Sequence, residues 1–184
     1  MVGGACRVLS LVAVLIVIIV ICDGKMAKSR FTNIMCKSYN KTFGEFETCR
    51  LNVLGRGVIG VQLHLKLYIV PINTVSSNLS VLRRYNGFKP FMYNTTLDFC
   101  KFAKQSKKLS FEKLVLDAIA TKSNLNHTCP YTVRLHDIIV NNLVFNDNFL
   151  QSLPLPQGEY KIQMLFGSDN IWRVQVDIVI LREE

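Results

Sequence analysis

Apolar and polar residues alternate singly along much of this chain, the period-two mark of strands with one buried face. Val61, Leu63, Leu65, Leu67 and Ile69 share one parity, and Gln62, His64, Lys66 and Tyr68 the other, until Pro71 ends the run. Leu79 and Val81 continue the pattern, and Asn86-Gly87 reads as a tight hairpin turn. Phe91, Tyr93, Leu97 and Phe99 then fall on one inner face. Near the C-terminus Tyr160, Ile162, Met164 and Phe166 alternate with Glu159, Lys161 and Gln163. Ser168-Asp169-Asn170 turns the chain, and Trp172, Val174, Val176, Ile178 and Ile180 alternate on the way back. Arg30 to Ser38 and Glu45 to Leu54 read as a hairpin closed around Asn40 to Gly44, and His136 to Phe145 as a weaker strand.

One segment follows a different period. Phe111, Leu114, Val115, Ala118 and Ile119 recur at helical spacing, Ser110 suits the N-cap and Lys122 the C-terminal turn. The pattern therefore predicts an all-β, two-sheet sandwich with one short helix near 110–121.

The first residues stand apart. Arg7 precedes a run from Val8 to Ile21 that only Ser10 interrupts, and Cys22-Asp23-Gly24 follows. A basic start, an apolar core of this length and small residues behind it read as a signal peptide over 1–24, leaving 25–184 as one domain. Cleavage is expected near Gly24, with no stable membrane insertion of what remains. Four N-x-S/T sequons, at Asn40, Asn78, Asn94 and Asn126, fit a secreted, glycosylated protein. Asn78 and Asn94 have outward parity, as a glycan requires. Cys36, Cys49, Cys100 and Cys129 remain after cleavage, an even number suited to disulfides in an oxidising compartment.

The formal charge is +9. Export makes nucleic acid an improbable partner. Anionic glycans, anionic lipid headgroups or an acidic receptor face suit that charge better, and a merely solvated basic surface suits it as well. No catalytic motif is present: no G-x-S-x-G, no H-E-x-x-H, no P-loop. His136 and Asp137 are strand neighbours that point to opposite faces. The cysteines lack C-x-x-C spacing, which argues against zinc. Cys129 lies near His127, but a structural disulfide outweighs a Cys-His nucleophile in a secreted chain. The expectation is no enzyme, no metal and no cofactor.

The ordered blocks Phe31-Thr32-Asn33-Ile34-Met35-Cys36, Phe43 and Glu45-Phe46-Glu47 with Cys49-Arg50-Leu51, Asn86 to Asn94, Leu97-Asp98 with Cys100-Lys101-Phe102, Asn124 to Tyr131 with His136-Asp137, and Leu153-Pro154, Pro156, Gly158 and Tyr160 carry a resemblance. The mature chain resembles the secreted insect proteins related to the CheB chemosensory proteins. More distantly, it is similar to the ML lipid-recognition proteins and the ganglioside activator. The resemblance implies an immunoglobulin-like β-sandwich whose sheets part to hold a lipid, and a chemosensory (pheromone) or immune accessory role, with a cell-surface receptor as a further partner. The usual extra ML cysteines are missing here.

Four cysteines allow three pairings. Cys36–Cys49 and Cys100–Cys129 are favoured: the first would bridge facing strands of a hairpin, and the second would close a loop containing the helix. If the inner faces part, parity puts Leu65, Leu67, Phe91, Tyr93, Leu97, Met164, Phe166 and Val176 on the cavity wall, with Phe111, Leu114 and Val115 of the helix over one edge. Lysines at the mouth would hold an anionic headgroup. Periodicity is the same for an open core and a filled one. Three functions therefore compete: a carrier of lipid or another apolar small molecule, an extracellular protein-interaction module with a filled core, and a lipid hydrolase dependent on His127 or His136.

Overall fold

The computed structural model describes residues 28–69, 71–105, 110–125, 129, 131, 137–144 and 155–183. The signal-peptide segment, Asn126, His127, His136 and Phe145 lie outside the described residues. The described residues form eight strands: β1 (Lys28–Ser38), β2 (Gly44–Gly55), β3 (Val58–Leu67), β4 (Ser76–Tyr85), β5 (Gly87–Asp98), β6 (Asp137–Val144), β7 (Gly158–Ser168) and β8 (Ile171–Glu183). Two helices, α1 (Phe99–Gln105) and α2 (Phe111–Ala120), fall between β5 and β6. The strands form one sheet in the order β1-β8-β7-β4-β5 and another in the order β2-β3-β6. All pairings are antiparallel. The fold is an all-β sandwich, with Val61, Leu63, Leu65 and Leu67 of β3 facing Leu79, Ile162, Met164, Val174, Val176 and Ile178 across one core.

The alternation of β3 and β7 becomes burial almost residue for residue. In β8, Val174, Val176, Ile178 and Ile180 are buried as the alternation predicts, but Asp177 and Val179 on the other face are buried too, and Trp172 is exposed. The first hairpin is a correction. β1 pairs with β8, and β2 with β3, so the chain crosses from one sheet to the other at Asn40 to Gly44. Asn40 shapes that crossing: its Oδ1 accepts from the Thr42 amide and hydroxyl at 2.9 and 2.6 Å. Cys36 is bonded to Cys49 and Cys100 to Cys129. The first bond therefore joins the two sheets rather than two strands of one hairpin.

The second correction is α1. Phe99 begins a helix instead of continuing β5. Asp98 Oδ1 accepts the Lys101 amide at 3.0 Å, the bond of an N-cap, which stops the strand and starts the turn. That amide is the main reason the Asp98 carboxyl lies below its ordinary value. One short helix was expected here and two are present. In α2, Ser110 caps as expected, its Oγ accepting the Lys113 amide at 3.3 Å.

Candidate functional site

The sandwich has two open sides and two ends, and the sequence closes each differently. Where β1 and β2 form the edges, Cys36–Cys49 staples sheet to sheet. On the other side β5 and β6 are the edges, and α2 spans between them. Its first turn meets β5, where the Phe111 ring packs edge-on to Tyr93 at 4.7 Å. The residues just after α2 are tied to β6: Lys122 O accepts the Asn141 amide at 2.8 Å, and the Asn124 side chain bonds Asp137 O and the Ile139 amide at 2.7 and 2.9 Å. At one end of the sandwich the Arg83 guanidinium lies over the Tyr85, Phe91 and Tyr160 rings and donates to Gln157 O at 2.9 Å. That end is filled.

Away from Arg83 the packing between the sheets is incomplete. A cavity of about 170 Å³ lies between them. Holding one water takes only roughly 10–15 Å³ on this measure, so the space suits a much larger occupant. β3 supplies Val61, Leu63, Leu65 and Leu67, β6 supplies Ile138, Val140 and Leu143, and β7 and β8 supply Met164, Phe166, Val174, Val176 and Ile178. Phe99 and Phe102 of α1 and Glu112, Val115, Leu116 and Ile119 of α2 form the covering side. No side chain of α2 is fully buried. Gly167 closes a corner where the backbone bulges; a Cβ there would meet Ile171 O at 2.5 Å and Trp172 Cε3 at 3.1 Å.

Seven of the expected wall residues lie on this cavity: Leu65, Leu67, Leu97, Val115, Met164, Phe166 and Val176. Four do not. Phe91 sits at the Arg83 end, its ring 5.7 Å from Tyr160. A bulge puts Phe91 and Met92 between the Leu82↔Pro90 and Val81↔Tyr93 pairs, with Met92 at φ 60°. Tyr93 and Phe111 pack on each other at the β5 edge, outside the wall. Leu114 is on the flank of α2, because the stripe facing the cavity is 112, 115, 116 and 119. Glu112 hid that stripe from a reading that counted only apolar residues.

Glu112 is the one charged side chain among the described wall residues. Burial opposes its ionisation, but hydrogen bonds from the Tyr93 hydroxyl, its own backbone N–H and Ser110 outweigh that and lower its carboxyl below the ordinary value. Burial, then the bond to Glu112, pushes Tyr93 up to about 12. Burial alone pushes Tyr131, also in the wall, up to about 12.

The other polar constellation lies on the far face of β2-β3-β6. His64 Nε2 is 2.8 Å from Asp137 Oδ2, and its Nδ1 is 3.2 Å from Glu47 Oε2, which also leaves Glu47 paired to Lys66 at 3.3 Å. These pairs lace three strands together, and β3 itself separates them from the cavity. On the outer face of the larger sheet, Asn78 Nδ2 donates to Asn94 Oδ1 at 2.8 Å and Thr96 Oγ1 at 2.9 Å. Both sequon asparagines thus share one surface, with Asn94 exposed. No group of three or more metal-ligating side chains occurs among the described residues.

Comparison with known proteins finds a family similarity over part of the chain. Residues 77–162 match the family described as "Protein of unknown function (DUF1091)". The match runs from β4 through both helices and the second disulfide into β7. No curated protein matches the chain. Among solved structures, a Niemann-Pick type C2 protein from the Japanese carpenter ant aligns at 11% identity and a TM-score of 0.30, over 89% of this chain and 96% of that one. A similarity that low carries no residue role or ligand across.

Proposed function

We propose that this protein is a secreted, non-enzymatic carrier of a lipid or similar apolar molecule, held between its two sheets. The cavity carries the reading. Its wall is made of core residues of both sheets, so the sandwich leaves about 170 Å³ of apolar space within its own core. Empty apolar space forfeits dispersion contacts, and an apolar guest restores them. Each buried methylene contributes about 0.8 kcal/mol, so a chain of ten or so offsets the cost of association. Two disulfides fit an oxidising, extracellular setting. The resemblance to CheB-related proteins supports a chemosensory or immune accessory role and a cell-surface receptor as partner.

The test is titration of delipidated protein with the uncharged dye Nile red. Saturable, blue-shifted emission at one dye per chain is expected. Absence of uptake would favour a protein-interaction module with a filled core.

A further inference from the structure

Asn40, Asn78 and Asn94 all head N-x-S/T sequons, but the fold engages their side-chain amides in two opposite ways. An N-linked sugar is carried on Nδ2, so the end of the amide that the fold uses decides what a sugar would disturb. At Asn40 the fold uses the oxygen. Oδ1 accepts from the Thr42 amide at 2.9 Å, the Thr42 hydroxyl at 2.6 Å and the Phe43 amide at 3.3 Å. Backbone N–H groups only donate, so these bonds fix which end is oxygen. At Asn94, which is exposed, Oδ1 again is the bonded end and accepts from Asn78 Nδ2 at 2.8 Å. Asn78 is the reverse. Its Nδ2 donates to Asn94 Oδ1, to Thr96 Oγ1 at 2.9 Å and to Thr95 O at 3.3 Å, and a carbonyl only accepts. Its Oδ1 accepts from the hydroxyl of Ser80, which is buried.

Resting on the secretion in the carrier reading, we propose that the folded, secreted protein carries N-linked sugar at Asn40 and Asn94 and none at Asn78, whose amide is instead the clamp that holds Asn94 by its oxygen. In the transfer, one N–H bond of Nδ2 breaks and its proton goes to a base of the transferring enzyme. Nδ2 bonds the anomeric carbon of a lipid-linked oligosaccharide pyrophosphate, and the lipid pyrophosphate leaves with the electron pair of the broken C–O bond. At Asn40 and Asn94 the bonds of the fold run through Oδ1, which the transfer leaves as it was. At Asn78 one N–H would remain where Nδ2 now serves three acceptors, and a sugar ring would stand where Asn94 and Thr96 are. The register sets Asn78 opposite Thr96 and Ser80 opposite Asn94. The two asparagines are therefore diagonal neighbours, roughly 7–8 Å apart, too close for a sugar on each. The enzyme meets the chain before it folds. A chain that takes sugar at Asn78 then has to close β4 on β5 without these bonds, and it is the one that fails to leave the cell.

The experiment expresses the full chain in a eukaryotic secretory host and treats the purified secreted protein with peptide N-glycosidase in heavy-oxygen water. Each sugar-bearing Asn becomes a heavy-oxygen Asp, which peptide mass mapping locates. Label at Asn40 and Asn94 with Asn78 unmodified is the expected result. Label at Asn78 overturns the proposal, and so does an unlabelled Asn40 or Asn94. Intact mass gives a second arm. Asn40→Gln and Asn94→Gln should each lose one glycan. Ser80→Ala abolishes the sequon at Asn78 but keeps the amide's bonds to β5, and it should lose none; a lighter glycan load in Ser80→Ala overturns the proposal. The wild-type map stands even if a variant fails to fold. Sugar on Asn78 of secreted protein leaves the secretion reading intact and sinks only this one; a chain retained in the cell with no label at any sequon sinks both.

Discussion

Leu67 separates an open core from a filled one. It is 3% exposed, ends β3, pairs with Gly44 and lies on the cavity wall. In a filled core Leu67→Ala costs a transfer term plus a cavity term, about 2–5 kcal/mol in all. Here the lost atoms enlarge space that is already open, so the cavity term largely vanishes. Three missing carbons at about 0.8 kcal/mol each leave roughly 2 kcal/mol, the low end of that range. Leu67→Trp is sharper. Forced into a filled core, the indole overpacks and costs about 1–3 kcal/mol or more. With 170 Å³ beside it, it has somewhere to go, and the change in stability should stay under about 1 kcal/mol. The ligand then loses that room. If the indole displaces about four methylenes, binding weakens by roughly 3 kcal/mol, on the order of a hundredfold in Kd. Urea melts give the stabilities and Nile red titration gives the affinities. A Leu67→Trp protein destabilised by several kcal/mol, or one of normal stability that still binds with parent affinity, refutes the reasoning.

Other outcomes follow from named features. Removing Cys36–Cys49 or Cys100–Cys129 by paired Cys→Ala should cost about 3 and about 3.5 kcal/mol by loop length, read in urea melts, and an effect under about 1 kcal/mol would deny the bridges a stabilising role. Gly167→Ala should destabilise by about 1–3 kcal/mol, since its Cβ would strike the backbone oxygen of Ile171; a neutral substitution would contradict that close approach. Asp98 and Glu112 both titrate below their ordinary values of 3.8 and 4.5, so the stability they contribute is present above that range and lost as pH falls through their folded-state values. Asp98→Asn and Glu112→Gln together should flatten the acid limb of a melting-temperature profile, and an unchanged limb would contradict this. Tyr93 and Tyr131 are shifted up from 10.0 to about 12, so their neutral form is favoured and stability should fall as pH rises through that window; absorbance titration with both tyrosines ionising near 10 would contradict it.

The faces of the strands were legible, and so were the β4–β5 and β7–β8 hairpins at Asn86-Gly87 and Ser168 to Asn170, but the partners of β1 and β2 were not. Alternation says which side of β3 or β8 is buried because each residue answers to its own environment. It does not say which strand lies alongside. A loop such as Asn40 to Gly44 serves equally to return a chain in one sheet or to pass it to the other, and β1 and β2 took the second course. Parity also fails wherever a bulge adds residues. At Phe91 and Met92 the count slips, and Phe91 ends against Tyr160 instead of the cavity. The missed helix α1 carried one signal, Asp98 placed three residues before Lys101, which the strong apolar run Leu97, Phe99 and Phe102 masked. In the candidate site, the apolar wall of β3, β7 and β8 could be read from the sequence, whereas Glu112 could not. Of the groups that lower the Glu112 carboxyl, Ser110 is local and legible, but Tyr93, on a strand 19 residues earlier, is a tertiary partner that the pattern does not show.

The account turns on whether the space between the sheets is occupied by an apolar guest. Native mass spectrometry of the purified protein, before and after organic extraction, measures that directly. It should show one small adduct per chain that extraction removes, and that a uncharged long-chain amphiphile added back to the stripped protein restores. A bare mass in both states, with no adduct formed on adding such amphiphiles, would contradict it.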